Sequence, residues 1–213
     1  MLTTDFVPGA PAWIELGSPE VVAAAEFYGR VLGWEYDGGL FRRYGSTVAA
    51  HVPLGAGAWT VHFAVADTGS AGPLRRLTDP QGAEFGVWRA RDGAGLGAVS
   101  TPGALTWLEL HTPAPEAAAD FYRSVFAWEI QTIPGAPGLF CRPAGTGAGR
   151  LFGAVVEDSS AYWLPYFEVA DPDGAAGAAE VAVEPYEVGG VGRIAVLADP
   201  FGARFGVMRS VTS

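Results

Sequence analysis

Lysine is absent. All 13 basic residues are arginine, which with the abundant alanine and glycine reads as the base composition of a GC-rich genome rather than as chemistry. Cysteine is nearly absent. Cys141 stands alone, which excludes an intrachain disulfide and fits a reducing compartment. Its strand-like setting, Phe140-Cys141-Arg142, offers no base or helix N-terminus that would make a thiolate, so it reads as a half-buried structural thiol. Positive charge is scarce: 13 basic against 23 acidic residues leave a net charge of −10. That balance argues against nucleic acid and against docking on an anionic membrane, and it reads as solubility. No apolar run approaches the ~20 residues of a membrane span. The N-terminal stretch lacks the basic and apolar regions of a signal peptide, so the expected location is the cytoplasm. There is no GxGxxG nucleotide motif and no HxH or HxxxH pair.

What is present is a repeat. Gly9–Tyr36 (GAPAWIELGSPEVVAAAEFYGRVLGWEY) and Gly103–Ile130 (GALTWLELHTPAPEAAADFYRSVFAWEI) match without a gap at a spacing of 94. A second echo, TDPQGAEFGVWR at Thr78–Arg89 and ADPFGARFGVMR at Ala198–Arg209, is spaced by 120. Repeats on this scale mean two copies of one structural unit, and the unequal spacing means that the first copy is shorter. Six of the seven tryptophans fall in equivalent pairs: Trp13/Trp107, Trp34/Trp128 and Trp59/Trp163. The expected organisation is a truncated domain at 7–90, a Gly-rich linker at 91–102 and a complete domain at 103–210.

Alternation in Trp13-Ile14-Glu15-Leu16 and Trp107-Leu108-Glu109-Leu110 predicts strands. Ser18-Pro19 and Thr112-Pro113 then predict helix starts with hydroxyl caps. Apolar residues recur at three- and four-residue steps through Pro19–Leu32, and Gly33 suits the end of that helix. Further strands are expected at Gly39–Tyr44, Thr47–Leu54, Trp59–Ala66, Leu139–Arg142, Gly149–Glu157, Tyr162–Ala170, Val181–Tyr186, Gly192–Leu197 and Ala203–Met208, with a short helix at Asp173–Glu180. The second copy thus reads as βαβββ twice. The first lacks the second helix and one strand, because 67–73 leads almost directly to Leu74–Leu77. The fold class is α+β.

With these modules in place, the segments WIEL and WLEL, EFYGRVLGWE and DFYRSVFAWE, and DPQGAEFGVW and DPFGARFGVM resemble the vicinal oxygen chelate superfamily. That group includes glyoxalase I, bleomycin-resistance proteins and extradiol dioxygenases. The resemblance covers about nine-tenths of the chain and is greatest to tandem-domain actinobacterial glyoxalase-like members. It implies curved mixed sheets around a pocket, in two glyoxalase-like domains of which the first is truncated. It also places the superfamily's metal-ligand positions at Trp13 and Trp107, Thr60 and Leu164, and Gly86 and Gly206. None of these supplies imidazole, carboxylate or thiolate, so no metal and no other cofactor are expected.

Strand parity puts Trp107, Glu109 and His111 on one face. If that face lines the pocket, Tyr166 and Glu168 join Leu164, and Arg204 and Met208 flank Gly206. His62 is equivalent to Tyr166, and Glu15 to Glu109. Glu109, His111 and Tyr166 are the candidate catalytic groups. Trp107, Leu164, Glu168, Arg204, Met208, His62 and Glu15 are the candidate substrate contacts. Glu15 and Glu109 recur in both copies, which fits a structural role as well as a catalytic one. His111 stands opposite Gly17 and is special to the second copy. The expected partner is a small organic molecule, aromatic or polycyclic, and the expected state is a monomer or homodimer. Two functions fit. One is metal-independent acid–base chemistry (isomerase, cyclase, dehydratase or lyase) in secondary metabolism. The other is a non-catalytic binder of the bleomycin-resistance type. The Asp-Pro-x-Gly motif reads as a turn.

Overall fold

A computed structural model describes residues 2–68, 74–89 and 95–211. The first half runs β1 (Pro11–Ser18), α1 (Val21–Leu32), β2 (Glu35–Asp37), β3 (Leu40–Arg43), β4 (Ser46–Pro53), β5 (Ala58–Ala64), β6 (Leu74–Thr78) and β7 (Glu84–Trp88). The second runs β8 (Leu105–Thr112), α2 (Pro115–Phe126), β9 (Glu129–Ile133), β10 (Ala136–Arg142), β11 (Gly153–Glu157), β12 (Tyr162–Glu168), α3 (Pro172–Ala176), β13 (Glu180–Val188), β14 (Gly192–Ala198) and β15 (Arg204–Ser210). The second half is βαβββ twice. The first is βαβββ followed by three strands, with no second helix among the described residues; 69–73 lie outside them. The short strands β2 and β9 carry few apolar residues and leave no alternation to read.

The strands make two mixed sheets. One has seven, in the order β2-β3-β4-β1-β5-β7-β6, and one has eight, in the order β13-β14-β15-β12-β8-β11-β10-β9. Each opening module repeats one ladder: an antiparallel meander whose last strand returns parallel to the first. β4 pairs with β1, Ala50 beside Glu15, and β11 pairs with β8, Ala154 beside Glu109. No helix among the described residues is long and apolar enough to cross a membrane.

Both helices start two residues later than the cap reading predicts. The Ser18 hydroxyl caps nothing and instead meets His51 Nε2 at 3.0 Å; the N-cap is Glu20. Thr112 Oγ accepts from the Ala114 amide, and Ala114 itself is the N-cap of α2. At the other end Gly33 adopts the left-handed conformation (φ 68°) and its N–H reaches the Gly29 carbonyl. The equivalent position after α2 is Ala127, held at φ 56°. A Cβ in that conformation is strained, so Ala127→Gly is expected to stabilise the protein by about 0.5–1 kcal/mol after glycine's own entropy cost. Denaturant unfolding checks this, and an unchanged or lower midpoint would refute it.

Compactness does not follow the halves. One unit consists of Met1–Trp13, Thr60–Gly95 and Trp107–Leu164, the other of Ile14–Trp59, Leu96–Thr106 and Pro165–Ser213. Each unit joins the long helix of one half to the closing strands of the other. In the second unit Tyr28 of α1 packs at 5.4 Å on Phe205 and at 5.2 Å on Trp34, whose ring meets Phe167. In the first, Tyr122 of α2 packs at 5.4 Å on Phe85 and at 4.9 Å on Trp128, whose ring meets Phe63.

The repeated Asp-Pro-x-Gly turn seals each core. Asp199 Oδ1 accepts the Phe201 and Ala203 amides and Oδ2 accepts the Tyr28 hydroxyl. Asp79 does the same with Gln81, Ala83 and Tyr122. Burial pushes the Tyr28 and Tyr122 phenols upward, so each hydroxyl keeps its proton and donates; burial also raises the Asp199 carboxyl, opposed by the Ala203 and Phe201 amides that it accepts. Of the stretch read as linker, 91–94 lie outside the described residues. The remainder packs in the second unit: Leu96 is buried and the Gly97 amide donates to the Thr47 carbonyl at 2.7 Å. Cys141 is 1 % exposed, and burial pushes its thiol up to about 12, as befits a structural residue.

Candidate active site

Strand β8 has one closed and one open face. Leu108 and Leu110 are fully buried, whereas Trp107, Glu109 and His111 are half-buried, as the alternation predicts. The strand partners of this face are Ala154 and Val156 of β11, and Trp107 meets Phe140 of β10 at 6.1 Å. The matching face of β1 is filled. Trp13 is buried and stacks on Trp88 at 5.0 Å, and Glu15 is only 7 % exposed. A Cβ at Gly17 would lie 2.5 Å from Leu54.

On the open face three ionisable groups meet. His111 Nδ1 lies 3.0 Å from Asp158 Oδ2, and Nε2 lies 3.3 Å from Glu109 Oε2. Nε2 is buried and makes no aligned hydrogen bond, so the Glu109 contact is one of proximity. Side-chain exposure is 22 % for Glu109, 16 % for His111 and 29 % for Asp158. Tyr162 stacks on the imidazole at 4.5 Å with 7° between planes, and its hydroxyl donates to Asp158 Oδ2 at 3.1 Å. The Ser160 amide and the Ser159 hydroxyl donate to Oδ1. The Ser160 amide does most to hold the Asp158 carboxyl below the usual carboxylate range; burial opposes it, and His111 and Tyr162 add to it.

The structure thus brings Glu109 and His111 together and adds Asp158 and Tyr162, which the sequence reading missed. It places the other candidates differently. Tyr166 is 3 % exposed and covers Gly206, where a Cβ would lie 2.0 Å from its ring. His62 covers Gly86 in the same way, at 1.8 Å. Leu164 and Met208 are buried. Glu168 accepts the Ser210 amide and hydroxyl, a strand-end clasp. Arg204 is exposed at the start of β15. A cavity of about 20 Å³ at Leu2, Val7 and Phe152 and a groove of about 310 Å³ at Phe27, Arg30, Ala178 and Pro200 are lined by none of the expected site residues.

Two βαβββ ladders with a shortened partner half agree with the sequence resemblance, and comparison with known proteins decides it. Over an alignment of 252 positions the chain is 31% identical to CFP32 of Mycobacterium tuberculosis, which carries the name of a glyoxylase, with 97% of each chain covered. The chain belongs to the vicinal oxygen chelate superfamily. This superfamily member is also 31% identical, over 273 positions, to the anthracycline biosynthesis protein DnrV of Streptomyces peucetius, with 96% of this chain and 94% of that one covered. Both alignments are longer than the 213-residue chain, so these relatives carry residues that it lacks. Two solved structures share the fold. The 2,3-dioxygenase LapB of Pseudomonas sp. KL28 has a TM-score of 0.63 at 12% identity, covering 98% of this chain and 94% of that one. The Mn(II)-bound glyoxalase of Novosphingobium aromaticivorans has a TM-score of 0.62 at 16% identity, covering 96% and 84%. No protein-family model matches the chain.

The residues present do not fit the superfamily's metal. Trp13, Trp107 and Leu164 offer no donor, and the Thr60 hydroxyl alone is a poor one. At 86 and 206 a carboxylate is missing and its space is also taken, by the rings of His62 and Tyr166. Among the described residues no group of three His, Cys, Asp or Glu side chains is set to hold a metal ion.

Proposed function

We propose that this protein performs metal-independent acid–base chemistry on a flat aromatic or polycyclic small molecule in secondary metabolism. The observation that carries this reading is the Glu109–His111 pair on the open face of β8. Glu109 is the more exposed of the two and serves as the base that meets the substrate. His111, behind it, takes up or returns the proton. Trp107 and Phe140 supply aromatic surface for a planar ligand. The name of DnrV, an anthracycline biosynthesis protein, supports the substrate class. A proton moved between two sites of one molecule gives isomerisation; a proton moved with loss or gain of water gives dehydration or hydration. Neither requires a redox partner.

The test is turnover of a panel of anthracycline-type polyketides by wild type, Glu109→Gln and His111→Ala. General acid–base groups contribute about 10²–10⁴-fold, so kcat is expected to fall by roughly that factor in either variant while KM changes little, and a chelator is expected to leave wild-type turnover intact. Full turnover by Glu109→Gln would sink the reading. Recovery of unchanged compound from a tight complex would identify a binding protein instead.

A further inference from the structure

We propose that Asp158 is the positioning residue that holds His111 as its Nδ1–H tautomer. Glu109, His111 and Asp158 then form a relay in which Nε2 exchanges a proton with Glu109. The proposal rests on the acid–base reading for its use in turnover, but its geometry stands alone. Among the described residues the other hydrogen-bond partners of the Asp158 carboxylate are donors: the Ser160 amide at 3.1 Å, the Ser159 hydroxyl at 3.3 Å and the Tyr162 hydroxyl at 3.1 Å. The carboxylate accepts only. A bare Nδ1 lone pair at 3.0 Å would face it in repulsion, so the proton sits on Nδ1. That leaves Nε2 as the basic atom: the Glu109 oxygen beside it is farther away, at 3.3 Å, and out of hydrogen-bond alignment, so it opposes a bare lone pair less than Asp158 does at Nδ1. Stacking on Tyr162 fixes the ring plane.

A second observation shows that the fold does not require this constellation. The Asp158 amide donates to the Thr112 carbonyl, and in the first half the Leu54 amide donates to the Ser18 carbonyl. The two strand ends are therefore equivalent. At the positions of His111, Asp158 and Tyr162 the first half carries Gly17, Leu54 and Ala58. The same backbone is built there with an apolar contact in place of a polar network. The trio belongs to what the second half does.

The proton balance closes. Before reaction Glu109 and Asp158 are carboxylates and His111 is neutral. A proton leaves the substrate for Glu109 and passes to Nε2, giving an imidazolium between two carboxylates. It returns to the product by the reverse path.

The experiment is ¹⁵N NMR of the imidazoles in histidine-labelled protein above neutral pH, with His111→Gln to assign the signals of the three histidines. Wild type is expected to show His111 with a protonated Nδ1 and a bare Nε2. In Asp158→Asn the amide oxygen stays with Ser160 and Ser159, so the NH₂ meets Nδ1 and moves the ring proton to Nε2. This isosteric variant is expected to keep the wild-type amide fingerprint while the His111 tautomer inverts. Nε2–H in wild type, or the same tautomer in both proteins, would overturn the proposal. No substrate is needed. Retained turnover by Glu109→Gln would therefore remove the acid–base reading and the relay with it, and leave the Asp158–His111 tautomer assignment standing on the NMR result alone.

Discussion

Replacing Asp79 by alanine is expected to cost about 3–5 kcal/mol of stability and to lower Tm by roughly 6–20 °C. Asp79 is 4 % exposed. It accepts the Gln81 amide at 3.0 Å, the Ala83 amide at 2.8 Å and the Tyr122 hydroxyl at 3.1 Å. Hydrogen bonds to a charged group contribute about 1.5–3 kcal/mol each, and a buried donor stripped of its partner pays about 1–3 kcal/mol of desolvation. Two backbone donors and a phenol would be stranded together, offset in part because the buried carboxylate no longer has to be desolvated. For a chain of this length 1 kcal/mol moves Tm by about 2–4 °C. Asp199→Ala should behave alike, since Asp199 holds the same three kinds of donor. Differential scanning calorimetry decides: a loss below about 1 kcal/mol in both variants would show that the turn alone, without its tyrosine, makes the structure.

A methyl group at position 206 should be almost as damaging. The Cβ of Gly206→Ala would fall 2.0 Å from Tyr166 Cδ1 and 2.3 Å from Cε1. These atoms belong to a rigid ring that is 3 % exposed, in a strand that pairs Tyr166 directly with Gly206. The ring cannot give way without moving the sheet. Overpacking of this kind costs about 1–3 kcal/mol, and the value here should lie near the top of that range. Coupling provides the check. Adding Tyr166→Ala to Gly206→Ala should cost less than Tyr166→Ala does alone, because the space it empties is then occupied. Additive losses in urea unfolding would mean that the ring is not what excludes a side chain.

The repeat made much of this legible. Its spacing located both βαβββ modules, the helix-ending Gly33 and the face shared by Trp107, Glu109 and His111. These are local patterns, and local backbone preferences obey them. Ser18 failed as a cap because a tertiary partner, His51, took its hydroxyl. Asp158 and Tyr162 were missed because they stand at the two ends of the short link between the strands expected at Gly149–Glu157 and Tyr162–Ala170, where no alternation singles them out. A signal was available. Setting the halves against each other at the spacing of Trp59 and Trp163 places both residues opposite Leu54 and Ala58, a polar pair against an apolar one. The Asp-Pro-x-Gly motif was read as a turn, which it is. Its second role was not readable, because the tyrosine it holds is a long way off in sequence and no periodicity links the two.

The crossing of helices between halves also governs the order in which the chain can fold. Tyr28 and Asp199 are 171 residues apart, so the compact unit containing the first helix cannot close until the last strands have been synthesised. Its apolar residues Phe27, Tyr28 and Trp34 must wait through nearly the whole of translation. Contacts this distant slow folding by the chain entropy they consume, and the waiting surface is open to aggregation meanwhile. A nascent chain stopped short of β15 presents α1 to a chaperone rather than to its own core.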